Sequence, residues 1–321
     1  MFQNKITEML GIKYPIVGGT MMWITMPEFT AAVSNAGGLG VLASAIYQSK
    51  EAFADAVDQV KDLTNKPFAV NLNLFPSMRP IDNNEYMDVL IQKGVKIVET
   101  SGHSAPEDLC ARFKAAGMIW IHKCVGVRYA LKVQSMGADI ITVVGYENGG
   151  ATGKLDIGTL TLVPRVAENI KVPLIGGGGV SDGRGFLAVL ALGAQGVIIG
   201  TRLLITQEAP IHENLKRALV DASELDTMLV MRSIGATHRV WANAAAKKVT
   251  DLEANQAGLP EILSIATGEK AKMMYDKGDL DTGMISCGQG VGMVHDIPTV
   301  HELFDRIIKE ATDIARNLYG N

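Results

Sequence analysis

One unit recurs along the first two hundred residues: a short apolar run, a turn of glycine or polar residues, and a segment with helical periodicity. The apolar runs predict eight strands: Tyr14–Val17, Leu39–Ala43, Phe68–Leu74, Lys96–Thr100, Met118–Lys123, Ile140–Val144, Pro173–Ile175 and Gly196–Ile199. Strands that alternate with helices pair in parallel through right-handed crossovers. Eight such units predict an α/β fold, the closed (β/α)8 TIM barrel, rather than an open doubly wound sheet.

The alternation of predicted strands and helices ends after Arg202. The later sequence predicts a helix over His212–Ala222, a strand over Thr227–Arg232, a polar helix over Asp251–Lys270, a glycine-rich loop over Gly283–Gly292 and a last helix over Val300–Leu318. Barrels of about 250 residues carry insertions readily. We therefore expect residues 1–208 and 299–321 to form the barrel, and residues 209–298 to form a mostly helical cap inserted before the final helix.

Composition and charge argue against several classes of partner. The net charge of −4 gives no basic footprint for nucleic acid. No segment approaches the roughly 20 apolar residues that span a bilayer, and MFQNKITEML lacks the apolar core of a signal peptide. No His, Cys, Asp or Glu spacing indicates a metal site. We expect a cytoplasmic protein that acts on a small molecule, without nucleic acid, membrane or metal.

Glycines follow the seventh and eighth predicted strands, in PLIGGGGVSDGRG and VIIGTR. Glycine lets the backbone approach an anion closely, and the loops after these two strands are the usual phosphate site of a barrel. A single glycine turn would favour a purely structural role, but two in consecutive units predict phosphate binding. The residues involved are Gly177, Gly178, Gly179, Gly200 and Thr201.

Several motifs together resemble the nitronate monooxygenase family, formerly called 2-nitropropane dioxygenases. They are YPIVGGTMMW, NAGGLGVLAS, NLNLFP, IHKC, the Gly-Gly loop after strand six and the PLIGGGGVSDGRG…GTR pair. The same set is similar to the flavin-dependent NADH:quinone reductases and enoyl-ACP reductases of that superfamily. The likeness covers nearly the whole chain. It implies an FMN-binding TIM barrel, in which the predicted phosphate site would hold the FMN phosphate.

The resemblance assigns cofactor-binding roles position by position. Gly18, Gly19, Thr20, Met21 and Met22 would lie along the isoalloxazine ring, Asn71 at its pyrimidine edge, Lys123 beside N1 and the C2 carbonyl, Gly149 and Gly150 along the ribityl chain, and Gln289 near the ring from the cap. A cation beside the ring would stabilise the negative charge that reduction adds. Without the resemblance, the same residues are compatible with structural roles: a satisfied buried amide at Asn71, core methionines, and a rim lysine at Lys123.

One position departs from the family pattern. The family has a histidine directly after the paired glycines of the strand-six loop, where GYENGGATG places Ala151. A methyl group cannot move a proton, so oxidation of a neutral nitroalkane, which needs C–H deprotonation, is disfavoured. The candidate catalytic residues at this mouth are Lys123, His103, Tyr146 and Glu147. His122 should point away from the flavin, because side chains alternate along a strand.

Three functions remain open. The first is an FMN-dependent monooxygenase that oxidises alkyl nitronates with O2, which needs no base if the nitronate is already formed. The second is an FMN reductase of quinones, enones or enoyl thioesters that uses NADH or NADPH, and Ala151 favours it. The third is a flavin- or phosphate-ligand-binding barrel without turnover. A homodimer is compatible with each.

Overall fold

The computed structural model describes residues 2–74, 82–102 and 105–319. Its strands are β1 (Ile16–Gly18), β2 (Gly40–Ala43), β3 (Phe68–Asn73), β4 (Ile97–Ser101), β5 (Ile119–Cys124), β6 (Ile140–Val144), β7 (Gly150–Ala151), β8 (Leu174–Gly177), β9 (Gly196–Ile199), β10 (Thr227–Val230) and β11 (His238–Trp241).

The helices alternate with these strands and then continue into the cap. They are α1 (Lys5–Leu10), α2 (Pro27–Asn35), α3 (Lys50–Leu63), α4 (Asn83–Gln92), α5 (Glu107–Ala115), α6 (Val127–Ser135), α7 (Thr159–Ala167), α8 (Gly183–Ala191), α9 (Thr201–Leu204), α10 (Glu213–Val220), α11 (Ala244–Ala254), α12 (Leu259–Leu263), α13 (Gly268–Lys277) and α14 (Val300–Tyr319), with a 3-10 helix over Gln289–Met293.

Within the described residues, eight strands form one parallel sheet in the order β1-β9-β8-β6-β5-β4-β3-β2. The sheet closes on itself between β1 and β2. There Val17 pairs in parallel with Leu39, and the Gly18 amide donates to the Leu39 carbonyl at 2.9 Å. The predicted (β/α)8 barrel is therefore confirmed, and each predicted barrel strand overlaps an observed one.

Side chains alternate between the inside and the outside of the barrel. One apolar cluster fills the interior, with Ile97, Ile121 and Ile175 among its members, and Ile6 of α1 closes it at the amino end of the strands. A larger cluster lies between the strands and the surrounding helices. Because the side-chain period of a strand is two, the residues two positions after Ile97 and Ile121 also face inward, at the carboxyl end of the barrel.

The chain between β9 and α14 departs in part from the expectation. The predicted helix after residue 212, the strand after residue 227 and the final helix are confirmed. The single helix predicted over Asp251–Lys270 is wrong, because the chain forms α11, α12 and α13 instead. Gln256 ends the first of these with φ of +56°, and Pro260 lies in the first turn of the second, where its fixed φ favours a helix start. The domain boundaries at residues 208 and 299 stay a prediction.

A small antiparallel sheet, in the order β10-β11-β7, ties the cap to the barrel. Its strand β7 belongs to the loop that follows β6, whereas β10 and β11 belong to the cap. The sequence did not reveal β7 and β11, since a two-residue strand has no periodicity of its own. Across residues 2–74, 82–102 and 105–319, no helix is long and apolar enough to cross a membrane.

Candidate active site

The carboxyl ends of β3, β4 and β5 bring a set of polar side chains together. We call this set the side-chain half of the mouth: Thr20, Asn71, Glu99, Ser101 and Lys123. Glu99 lies at its centre and is 0% exposed. Its Oε1 accepts hydrogen bonds from the Thr20 hydroxyl and the Asn71 amide, both at 2.7 Å. Asn71, Glu99 and Lys123 follow the interior residues of β3, β4 and β5 at the carboxyl end of the barrel, and Thr20 reaches Glu99 from the loop after β1.

The hydrogen bonds of Asn71 determine how its side-chain amide is turned. Nδ2 donates to Glu99 Oε1 and, at 3.1 Å, to the Ser101 hydroxyl. An ionised carboxylate only accepts hydrogen bonds, so the NH2 group must face Glu99 and Oδ1 must point elsewhere. Asn71 is 3% exposed. It therefore offers a well-oriented acceptor rather than a donor to anything bound at the mouth.

Lys123 brings the cation of the side-chain half. Its Nζ lies 3.9 Å from Glu99 Oε1, and its side chain is 21% exposed against 1% for Glu99. The other carboxylate oxygen of Glu99 is buried, and it has no hydrogen-bond partner among the residues that the structure describes. Buried polar atoms are nearly always paired. The cluster thus combines a shielded anion, a partly open cation and an unused acceptor.

His122 points to the outside of the barrel, as strand alternation predicts. The Trp120 indole donates to the Thr100 hydroxyl at 2.7 Å, and that hydroxyl meets His122 Nδ1 at 2.6 Å. Burial, with the nearby Lys123 charge, lowers the pKa of His122 to about 4. His122 is a neutral structural imidazole at physiological pH.

The ends of β6, β8 and β9 present backbone instead of side chains. We call this set the glycine half of the mouth: Gly145, Gly149, Gly177, Gly178, Gly179 and Gly200. Gly178 and Gly179 have φ of +106° and +75°, and a Cβ built on Gly200 would meet nothing within 4 Å. A left-handed turn beside an open glycine lets backbone amides come close to a bulky anion. The predicted phosphate residues Gly177–Gly179, Gly200 and Thr201 therefore lie together on one wall.

At the start of α8, two backbone amides already donate to protein acceptors. The Gly183 amide donates to Glu310 Oε2 at 2.7 Å, and the Gly185 amide donates to Asp182 Oδ1 at 3.0 Å. Asp182 is thus the helix cap. An anion on this wall would be bound by the loop between β8 and α8, together with the turn after β9.

Gly149 and Gly150 lie where the cap meets the barrel. A Cβ on Gly149 would stand 2.8 Å from the Gly288 nitrogen and 2.9 Å from Cys287 backbone atoms. Gly150 has φ of +81° and pairs with Arg239 across β7 and β11. Gly149 is therefore required by close chain packing, and Gly150 by its left-handed backbone, in which a side chain would be strained.

The segment around Gln289 is tied to the same wall. The Gly288 amide donates to the Thr201 hydroxyl at 2.9 Å, and the Gln289 amide donates to the Glu147 carbonyl at 2.9 Å. The structure thus places the Gln289 backbone beside the β6 loop, and the predicted approach of Gln289 to the ring stays a prediction. The hydroxyl of Thr201 already accepts one hydrogen bond.

Tyr146 and Glu147 support the wall through protein contacts. The Glu147 carboxylate accepts from the Thr159 amide at 3.1 and 2.9 Å and from the Thr159 hydroxyl at 2.8 Å, at the first residue of α7. The Tyr146 carbonyl accepts from Arg239 Nε at 3.1 Å, and the guanidinium lies 4.5 Å from the centre of the Tyr146 ring. Their catalytic roles stay predictions.

The loop after β1 uses several of its own backbone donors. The Gly18 and Gly19 amides donate to the carbonyls of Leu39 and Ile199, and the Met21 amide donates to the Thr25 hydroxyl at 3.2 Å. Met21 packs against the main core. Met22 is 48% exposed, and a Cβ on Gly268, at the start of α13, would lie 2.7 Å from its sulfur. The two methionines therefore have different surroundings.

The position of Ala151 has a histidine across from it. Ala151 pairs with His238 between β7 and β11, and the Thr152 amide donates to the Thr237 carbonyl at 3.3 Å. Ala151 and His238 therefore form a non-hydrogen-bonded pair, in which side chains stand closest. His238 Nδ1 lies 2.7 Å from the Ala236 carbonyl, so Nδ1 carries the proton. His103 lies outside the described residues.

Sequence reasoning missed Glu99 and His238. Glu99 had a local signal, because a carboxylate interrupts the apolar run of β4 at an inward-facing position. His238 had none, since its place depends on the pairing of the β6 loop with a cap strand far along the chain.

The comparisons with known proteins agree with this geometry. A family model described as nitronate monooxygenase matches residues 3–310. The chain is 32% identical to the (3aS,4S,5R,7aS)-5-hydroxy-7a-methyl-1-oxo-octahydro-1H-indene-4-carboxyl-CoA dehydrogenase of Rhodococcus jostii, over 96% of both chains. It is 27% identical to a probable nitronate monooxygenase of Staphylococcus aureus, over 97% of this chain and 98% of the relative.

The fold has an equally extensive match. FabK from Thermotoga maritima superposes with a TM-score of 0.92 at 29% identity, covering 100% of this chain and 99% of FabK. A closed barrel with this mouth and these relatives defines an oxidoreductase. The chain belongs to the nitronate monooxygenase family.

Proposed function

We propose that this protein is an FMN-dependent oxidoreductase that transfers a hydride from NADH or NADPH, by way of FMN, to the acyl group of an α,β-unsaturated thioester, whose α-carbon then takes a proton from solvent. The observation that carries the choice of substrate class is the 32% identity to a CoA-thioester dehydrogenase over almost the whole chain. Ala151, whose methyl group stands where the family resemblance implies a proton-transferring histidine, disfavours oxidation of a neutral nitroalkane.

The two halves of the mouth fit the two ends of FMN. The glycine half offers an open position for a phosphate dianion at Gly200, where a Cβ would meet nothing within 4 Å, beside the left-handed backbone of Gly178 and Gly179. The side-chain half supplies a cation and oriented acceptors for a planar heterocycle that has both acceptor and N–H donor edges. When bound there, FMN would accept and return the hydride.

The residues of the side-chain half have distinct tasks in this proposal. Asn71 Oδ1 is turned away from Glu99 and would accept a hydrogen bond from the pyrimidine edge. Lys123 would place its ammonium beside the ring. Because the Gly18, Gly19 and Met21 amides donate to protein acceptors, a backbone donor for the ring edge would come from Thr20 or Met22.

The β6 loop would shape the substrate side. Glu147 acts as a positioning residue, because both its oxygens bind the start of α7. His238 pairs with Ala151 across β7 and β11, and its Nδ1 donates to the Ala236 carbonyl. Tyr146 and His103 remain candidate catalytic residues.

Oxidation of nitronates with O2 is the second candidate. The family model that matches residues 3–310 favours it, and a pre-formed nitronate needs no base. A neutral nitroalkane would remain a poor substrate, since its C–H must first be deprotonated.

Anaerobic rapid mixing separates these functions. The FMN-loaded protein should lose its visible flavin absorbance with NADH or NADPH, and a short enoyl-CoA should then restore it without O2. No bleaching with either nucleotide would contradict the proposal. Bleaching only by a pre-formed alkyl nitronate, with turnover that requires O2, would establish the second candidate instead.

Two further expectations stay predictions. A cytoplasmic location would be tested by fractionation of the source cells, and a homodimer by light scattering of the purified protein. The chemistry proposed for the mouth depends on neither.

A further inference from the structure

We infer that Glu99 is a positioning residue that sets the reduction potential of the bound flavin, by pairing with Lys123 and by fixing the Asn71 amide. The inference rests on the proposed function, since it needs a flavin at this mouth. It changes the role of Lys123, which would act as one member of an ion pair and not as an isolated cation.

The burial and the contacts of Glu99 carry the first step. Its side chain is 1% exposed, and Lys123 Nζ at 3.9 Å is the cation that the structure places beside it. Its other contacts at Oε1 are the uncharged donors of Thr20 and Asn71. A carboxylate removed from water strongly favours a nearby cation. The charges of Glu99 and Lys123 therefore offset each other under whatever binds above them.

The second carboxylate oxygen of Glu99 takes no part in these contacts. Glu99 Oε2 is buried without a partner in the described part of the chain. Leaving a charged acceptor unpaired in the interior costs stability, whereas a glutamine of the same shape would remove the charge. Buried polar groups without partners are rare in native proteins, and a functional role is one of the accepted reasons for them. The unpaired oxygen therefore supports an electrostatic role for Glu99 at the mouth.

The charges of Glu99 and Lys123 should shift the reduction potential in opposite directions. Reduction adds negative charge to the ring, which a neighbouring cation favours and a neighbouring anion disfavours. Glu99 thus weakens binding of the reduced form relative to the oxidised form and lowers the reduction potential. Removing its charge should raise the potential, and removing the Lys123 charge should lower it.

The test uses FMN-loaded protein with Glu99→Gln, Lys123→Met and the double substitution. The reduction potential is measured by equilibration with redox dyes, and the FMN dissociation constant is measured in both oxidation states. E99Q should favour the reduced form at least tenfold, which is about 30 mV for a two-electron couple. K123M should lower the reduction potential. In the K123M background, E99Q should raise the potential by less than half of the shift that it causes in the wild-type protein.

A matched control is Glu208→Gln. Glu208 accepts from the Val300 amide at the start of α14, on the outside of the barrel, at 3.0 Å. This substitution should leave the potential unchanged. If E99Q weakens the binding of oxidised and of reduced FMN equally, the reduction potential does not change. Glu99 is then only structural, and the inference is overturned. If the wild-type protein binds no FMN, the proposed function fails instead.

Discussion

The two halves of the barrel mouth are built from different chemical groups, because polar side chains form one half and glycine residues form the other. The side-chain half places Asn71, Glu99 and Lys123 on inward-facing strand positions, and its contacts are hydrogen bonds and one ion pair. The glycine half consists of residues without a Cβ, of which Gly178, Gly179 and Gly200 are partly exposed, whereas Gly145 and Gly177 are buried against protein. The first half is suited to a ring with defined donor and acceptor edges, and the second to a phosphate.

The difference also shows which substitutions each half tolerates. Changes in the side-chain half alter charge at nearly constant shape, so their effects should appear in the chemistry of a bound ligand. Changes in the glycine half add atoms, and their effects depend on whether protein or open space lies at that point. Substitutions in the two halves, and at the residues that support them, therefore distinguish effects on protein stability from effects on the chemistry of a bound ligand.

The largest expected difference in stability is between alanine substitutions at two glycines of the glycine half. A Cβ on Gly177 would stand 2.5 Å from Ile198 Cγ2 and 2.6 Å from the Ile198 carbonyl oxygen, whereas one on Gly200 meets nothing within 4 Å. Gly177→Ala should cost about 2–4 kcal/mol of unfolding free energy, because the obstacle is partly backbone. Gly200→Ala should change it by less than about 0.5 kcal/mol. Urea titration measures both, and equal costs would contradict this packing.

His122, which lies behind the side-chain half, should make the free energy of unfolding depend on pH. His122 has a folded pKa of about 4, against 6.5 in the unfolded chain. The unfolded state therefore binds more protons between these values, and the stabilisation present above pH 6.5 is lost as the pH falls towards 4. The loss should reach about 3 kcal/mol. His122→Gln should flatten this part of the stability profile, and an unchanged slope would show that another group is responsible.

The carboxylate behind the glycine half should act through structure. Glu147→Ala removes the acceptor of the Thr159 amide and hydroxyl, which should cost about 2 kcal/mol. The rate of flavin reduction in fully loaded protein should stay within about threefold of wild type, since Glu147 supports the wall without moving a proton. A much slower reduction at full loading would instead give Glu147 a catalytic role. Glu168→Gln, at an exposed pair with Arg165, is the control and should have little effect on stability.

The smallest effect is expected where the β6 loop meets the cap at the surface. Asp156 and Arg232 form an ion pair there, with side chains 41% and 48% exposed. Asp156→Asn should cost at most about 0.5 kcal/mol, and less at high salt. Urea titration at low and high salt measures this cost. A larger loss that salt does not reduce would mean that this contact holds the cap in place.

The sequence predicted the glycine half better than the side-chain half. The glycines after β8 and β9 form local motifs at a known place in a barrel, so they could be found without coordinates. Lys123 and Asn71 were found through the family resemblance, but their shared partner Glu99 was not, because hydrogen bonding between neighbouring strands depends on register. The barrel itself followed from the β/α rhythm. The sheet that joins the cap to Ala151 did not, since its strands are short and distant in sequence.

We propose that the glycine half binds the FMN phosphate while the side-chain half binds the ring. The dissociation constants of FMN and of riboflavin, which lacks the phosphate, test it in wild type, Gly200→Val and Lys123→Met. The wild-type protein should bind FMN at least a hundredfold more tightly than riboflavin, which is about 2.7 kcal/mol. Gly200→Val should abolish most of this preference, and Lys123→Met should keep it. Full preference for FMN in Gly200→Val, in a protein that folds normally, would contradict the account.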